Sequence, residues 1–122
     1  MPELLVNHLA AWRALANPHR VQIMDWLLNP EAHFPPQRDG DLVSDGVCVG
    51  FITDKVGLSQ PTVTSHMKSL EQAGLVSSKK IKNWVFYKAD QEALQQIASS
   101  FASVGTPAQT LAAYAETDSI RS

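Results

Sequence analysis

The sequence predicts a mostly α-helical domain closed by one small β-hairpin. Three observations carry this expectation. Apolar residues recur at three- and four-residue spacing in several separate stretches. Asn17-Pro18, Ser59 and Gly74 punctuate those stretches where helices should start and stop. Two β-prone runs, 75–80 and 84–88, flank a turn at Ile81-Lys82-Asn83.

The first helix is expected over residues 3–16, where Leu5, Leu9, Trp12, Leu15 and Ala16 fall on one side. Asn17 then suits an N-cap and Pro18 the first helical position. The second helix runs to about Leu28, with Val21, Ile23, Met24, Leu27 and Leu28 on a wide apolar face, and Asn29-Pro30 ends it. Residues 30–47 carry Pro35-Pro36, Asp39-Gly40 and Asp45-Gly46, the residues of turns. A long loop is expected there, with room for a short strand at 42–43 or 47–49.

A short helix follows over 51–56. Gly57 suits a left-handed close, and Ser59 suits the cap of the next helix, 60–73. That helix buries Val63, Met67 and Leu70 and turns Gln60, Thr62, Thr64, Ser65 and Lys68 outward. Helix, tight turn and capped second helix is the spacing of a helix-turn-helix. Short polar side chains on the second helix let its axis approach base edges in a major groove. The hairpin comes next and places Lys79, Lys80 and Lys82 at or near its tip. A basic hairpin directly after such a helix is a wing, able to follow the DNA backbone or reach the minor groove. Asp90 is the expected N-cap of a last helix, 91–104, with Leu94, Ile97, Ala98 and Phe101 on one stripe. The division is a DNA-binding and dimerisation domain over 1–104 and a weakly helical or frayed tail over 105–122, where 107–116 is Ala-rich.

Charge is segregated along the 122 residues. Residues 1–54 hold three basic and seven acidic side chains, whereas residues 55–88 hold six Lys and one Glu. The rest is acidic again, and the whole chain has a formal net charge of -2. A basic middle in an acidic chain points to a polyanion partner. One small domain has little core to cover the apolar faces of both its first and last helices, so a homodimer is expected. Its interface would draw on Leu5, Leu9, Trp12, Leu94, Ile97 and Phe101.

The stretch Gly57-Leu58-Ser59-Gln60-Pro61-Thr62-Val63-Thr64-Ser65-His66-Met67-Lys68-Ser69-Leu70-Glu71-Gln72-Ala73-Gly74-Leu75-Val76 resembles the helix-turn-helix of ArsR/SmtB-type winged-helix repressors. Leu15-Ala16-Asn17-Pro18-His19-Arg20-Val21-Gln22-Ile23-Met24 resembles the opening of their second helix, and Trp84-Val85-Phe86-Tyr87 the returning strand of their wing. The resemblance implies a homodimeric repressor, paired through its first and last helices, that leaves operator DNA when an effector binds. It implies DNA-facing roles for Ser59, Gln60, Thr62, Thr64, Ser65 and His66, a phosphate-side role for Arg20, and backbone contacts from the wing lysines.

The family's sensor positions do not carry over. Where one family site has Cys-Val-Cys, this chain has Cys48-Val49-Gly50, and the last helix, home of another site, has no His. A lone thiolate holds soft metals poorly without further ligands. No metal and no cofactor is therefore expected; release would come from an unidentified effector or from oxidation at Cys48, which otherwise reads as a buried apolar thiol. His8, His19, His33 and His66 are dispersed and form no ligand pair, and Trp12, Trp26 and Trp84 read as core or interface anchors or as walls of an aromatic effector pocket. No phosphate-binding glycine loop or nucleophile elbow occurs, which argues against an enzyme. The competing readings are a protein-interaction scaffold on the same helix-turn-helix and an unusual metal sensor. The start, Met1-Pro2-Glu3-Leu4-Leu5, shows no basic-then-apolar secretory pattern, and no apolar run is long enough for a membrane span, so a cytoplasmic protein is expected.

Overall fold

The computed structural model describes residues 5–103; the expected tail lies outside the described residues. A 3-10 turn, Val6–His8, leads into α1 (Leu9–Leu15), α2 (Pro18–Leu28) and a single-turn α3 (Pro30–His33). After a loop come β1 (Val47–Cys48), α4 (Val49–Val56), α5 (Gln60–Gln72), β2 (Val76–Ile81), β3 (Trp84–Ala89) and α6 (Gln91–Ser103). No helix among the described residues is long and apolar enough to cross a membrane.

The helix ends follow their local chemistry. The Asn17 side chain accepts from the backbone N–H groups of His19 and Arg20, so α2 starts on a satisfied cap with Pro18 at its first position. Gly57 closes α4 at φ 74°, and Ser59 caps α5 by accepting from the Thr62 N–H. Gly74, at φ 77°, turns the chain out of α5, where the Leu75 N–H donates to the Leu70 carbonyl. Asp90 caps α6 through the Ala93 N–H at 3.0 Å. Its own N–H donates to the Leu75 carbonyl at 2.9 Å, which ties the start of α6 to the end of α5.

Two expectations are corrected, and one left open between two places is resolved. The first helix is not continuous over 3–16: its described part is a 3-10 turn followed by α1, broken at His8. The Leu5 carbonyl accepts from the His8 N–H at 3.1 Å and from the Trp12 indole N–H at 2.9 Å, and the Leu9 N–H turns to the Val6 carbonyl instead. The start of the long loop is helical over Pro30–His33, because Pro30 suits a first helical position and the following Phe34 is buried. Of the two places weighed for a short strand, only 47–48 forms one; residues 42–45 form a turn.

The sheet has the order β1-β3-β2, all antiparallel. Ile81 pairs with Trp84, leaving Lys82 and Asn83 as a two-residue turn with Lys82 at φ 56°. The core lies between the helices and this sheet: Ile23 of α2, Ile52 of α4, Val63, Met67 and Leu70 of α5, then Leu75 and Phe86, are all fully buried. Burial of Val63, Met67 and Leu70 fixes the rotation of α5 and therefore which of its residues face outward.

Candidate nucleic-acid interface

With that rotation set, Gln60, Thr62, Ser65 and Lys68 of α5 are exposed and Thr64 is half-buried. The Thr62 hydroxyl lies 2.9 Å from Ser59 Oγ and belongs to the cap. The side chains of Gln60, Thr64, Ser65 and Lys68 have no polar partner among the described residues. Their hydrogen-bonding groups are therefore unsatisfied by the fold and open to an external one.

Arg20 and His66 are held together instead of standing free. Arg20 Nε donates to the Ala14 carbonyl at 2.5 Å, and one terminal nitrogen of its guanidinium lies 3.1 Å from His66 Nδ1. Arginine is only a donor, so His66 Nδ1 accepts and the ring carries its proton on Nε2. The His19 ring lies beside it, 5.8 Å between centroids. Partial burial, then the positive charge of Arg20 and that of His19, push the His66 imidazolium below its usual range. Arg13 and Arg20 line one groove between α1 and the C-terminal part of α5, so positive charge continues along this flank.

On the wing, Lys79 Nζ pairs with Asp45 Oδ1 at 2.5 Å and Lys82 Nζ with Asp39 Oδ1 at 2.9 Å. Lys80 is exposed and has no ion-pair partner among the described residues. Nothing in the sequence pattern signals that the acidic loop reaches the wing. The paired residues are 34 and 43 positions apart, too far for any local pattern. The Lys79 ammonium, followed by the Asp41 N–H, lowers the Asp45 carboxyl below the ordinary carboxylate range. The loop's serine and valine N–H groups do the same for Asp41.

The interface residues expected on α1 and α6 separate into two groups. Ile97 is only 9% exposed and belongs to the core of the single chain, a correction that follows from α6 placing it against its own chain. Leu94 is half-buried against the same core. Trp12 and Phe101 meet edge to face at 5.9 Å, and His8 Nε2 lies 3.0 Å from Ser100 Oγ, so the first and last helices touch within one chain. Leu5, Leu9 and Phe101 remain exposed, Phe101 at 62%.

Cys48 is half-buried, and its backbone N–H donates to Gln37 Oε1 at 2.7 Å. It lines an open cavity of about 380 Å³ with Phe51, Trp84, Phe86, Arg38 and Asp39. Trp84 is 52% exposed at this cavity's rim, whereas Trp26 packs edge to face on Phe34.

The sequence model of the bacterial regulatory protein, arsR family, matches residues 45–78, from just before β1 through α4 and α5 into β2. Over 90 residues the chain is 38% identical to the uncharacterized HTH-type transcriptional regulator YbzH of Bacillus subtilis, covering 74% of this chain and 90% of that one. This chain belongs to the ArsR family. Among solved structures, HlyU from Vibrio cholerae N16961 is 26% identical, with a TM-score of 0.58, over 80% of this chain and 91% of that one. The homodimeric winged helix-turn-helix DNA-binding domain of Mb0332 from Mycobacterium bovis shares the fold, with a TM-score of 0.56 at 20% identity, over 80% of this chain and 79% of that one.

ArsR-family proteins are DNA-binding transcription factors and not enzymes. Within this family α4 and α5 are the helix-turn-helix and β2–β3 the wing. A Cβ built on Gly50 would lie 3.9 Å from Cys48 Sγ. Positions 48 and 50 are thus close in space, and glycine at 50 offers no side-chain donor there. No group of three or more His, Cys, Asp or Glu side chains among the described residues is placed to hold a metal ion.

Proposed function

We propose that this protein is a homodimeric transcriptional repressor that reads operator DNA in the cytoplasm with α5 in the major groove and β2–β3 on the backbone. The observation that carries the reading is the outward face of α5, where Gln60, Thr64, Ser65 and Lys68 stand without polar partners among the described residues, beside a lysine-bearing wing. Gln60 is suited to a paired contact with adenine, and Ser and Thr to several base edges. Thr62 and His66 border that face, while Arg20, Lys79, Lys80 and Lys82 supply positive charge toward phosphate. Occupation of the operator would exclude polymerase.

Release is assigned to an effector other than the family's usual metals, because Gly50 replaces the second thiolate and α6 carries no His. Oxidation of Cys48 is the alternative route, since its thiol borders the cavity between α4 and the wing.

The test is titration of the protein's own upstream DNA and of a scrambled duplex at one salt concentration. Gln60→Ala and Ser65→Ala are each expected to reduce the preference for upstream DNA by about 1–3 kcal/mol, the discrimination supplied by one well-formed hydrogen-bonded pair with a base edge. Equal weakening on the two duplexes would remove the base-reading role from these side chains.

A further inference from the structure

We propose that the segment from Gln37 to Gly46 is an autoinhibitory clasp on the wing: its carboxylates hold Lys79 and Lys82 in the free protein, and DNA phosphate must displace them. The inference rests on the DNA-binding reading above and adds a device that limits it.

The segment is built to stay in place. Gln37 joins its two ends, accepting from the Cys48 N–H at 2.7 Å and donating to the Gly46 carbonyl at 2.9 Å. Asp41 Oδ2 accepts from the N–H groups of Val43 and Ser44 at 3.0 and 2.8 Å, which closes the turn between them. Asp45 Oδ2 accepts from the Asp41 N–H at 2.7 Å, leaving Oδ1 aimed at Lys79.

Two glycines let the backbone of the segment lie directly on β3. A Cβ on Gly46, at φ 104°, would fall 2.5 Å from the Tyr87 carbonyl oxygen. A Cβ on Gly40 would fall 3.0 Å from the Phe86 ring. Close approach at these two points sets Asp39 and Asp45 beside the wing. Their side chains are 27% and 21% exposed, against 71% and 55% for the lysines they hold. The carboxylates are thus the more covered partners, and the lysine side chains they hold remain mostly open to solvent.

A phosphate approaching Lys79 or Lys82 meets a cation already neutralised and an anion that repels it. Because the segment is fixed by Gln37 and the Asp41 turn, the carboxylates cannot simply drift away. Two of the wing's three tip lysines therefore contribute less to DNA affinity, and to its salt dependence, than their number implies. Lys80 is outside the clasp.

The test uses the full chain on upstream and scrambled duplexes across a range of salt concentrations. The variants are Asp39→Asn and the Asp39→Asn/Asp45→Asn pair, the amide keeping the size of the carboxylate. Asp39 has no side-chain hydrogen bond besides that from Lys82 among the described residues, so its single variant leaves the turn intact. Removing the clasp should steepen the slope of log affinity against log salt by about 0.9 for each lysine released. Affinity should rise about two- to tenfold, alike on both duplexes. Asp25→Asn/Glu31→Gln, the same charge change away from the wing, should give a smaller rise. In a Lys79→Gln/Lys82→Gln background the Asp39→Asn/Asp45→Asn pair should gain nothing. An unchanged or weaker affinity, a matching rise in the charge control, or a gain that survives without the lysines would each overturn the clasp. Failure of the unaltered chain to bind either duplex would instead overturn the DNA-binding reading beneath it.

Discussion

His66 shows how one residue is constrained by groups that sequence spacing does not reveal. It lies on the reading helix, but its Nδ1 accepts from Arg20, and Arg20 in turn holds the C-terminal end of α1 through the Ala14 carbonyl. The imidazolium is disfavoured first by burial and then by Arg20 and His19. Among the described residues no carboxylate acts on it, and the neighbouring charges are those of Arg20 and His19. The folded chain thus holds this proton less tightly than the unfolded chain does. His66 contributes stability that is complete above about pH 6.5, its unfolded range, and declines as pH falls through its lower folded value. A DNA phosphate next to Arg20 would supply the missing anion and favour the protonated ring. We therefore expect DNA affinity to rise as pH falls through the lowered range of His66, where bound phosphate would help the ring take up a proton. The difference between the unaltered chain and His66→Gln isolates this from His8, His19 and His33. Superimposable pH profiles of the two proteins, measured by fluorescence anisotropy, would remove His66 from the linkage.

At the scale of elements, sequence pattern worked where the signal was local. Ser59, Gly57 and Gly74 mark the ends of α4 and α5 through backbone chemistry that needs only neighbouring residues. The strands β2 and β3 followed from β-prone runs around a turn, and Asp90 from its place before an apolar stripe. The segment between α3 and β1 was legible only as turn residues. Its packing on β3 and the wing lysines joins positions far apart in the chain, so it leaves no periodic trace. Gly46 concentrates that lesson. The Asp45-Gly46 pair reads as an ordinary turn, yet the glycine is required because any side chain would collide with the Tyr87 carbonyl. Gly46→Ala is expected to destabilise the domain by about 1–3 kcal/mol, through both the positive φ and the backbone collision. Chemical denaturation checks this. A change within about 0.5 kcal/mol, the range of ordinary surface substitutions, would mean that the segment does not press on β3.

For the whole molecule, apolar stripes announced burial but not what covers them. The α6 stripe reads as a surface for a second copy, whereas Ile97 fills the chain's own core and Leu94 packs against it. Phe101 of α6, Leu9 of α1 and Leu5 before it are the large apolar side chains left exposed there. Exposed apolar side chains of this kind suit a two-fold contact, in which burial would stabilise a proposed dimer by roughly 25 cal/mol per Å². The candidate DNA face was legible as residue types, because the α5 pattern leaves short polar side chains opposite Val63, Met67 and Leu70. Which of its cations are already engaged was not legible, since Arg20, His66, Lys79 and Lys82 find their partners only in the folded chain.

Two copies that present two α5 helices to one operator would contact it at two places along the duplex. Hydroxyl-radical footprinting on the protein's upstream DNA tests it most directly. Two protected half-sites related by a near-palindrome are expected, with centres about 10 bp or a multiple of one helical turn apart. Phe101→Glu places a charge on the exposed apolar patch, and it should abolish paired protection at concentrations where the unaltered chain gives it. A single protected half-site from the unaltered chain, or paired protection that is indifferent to Phe101→Glu and to removal of the polar face at Gln60 and Ser65, would contradict the account.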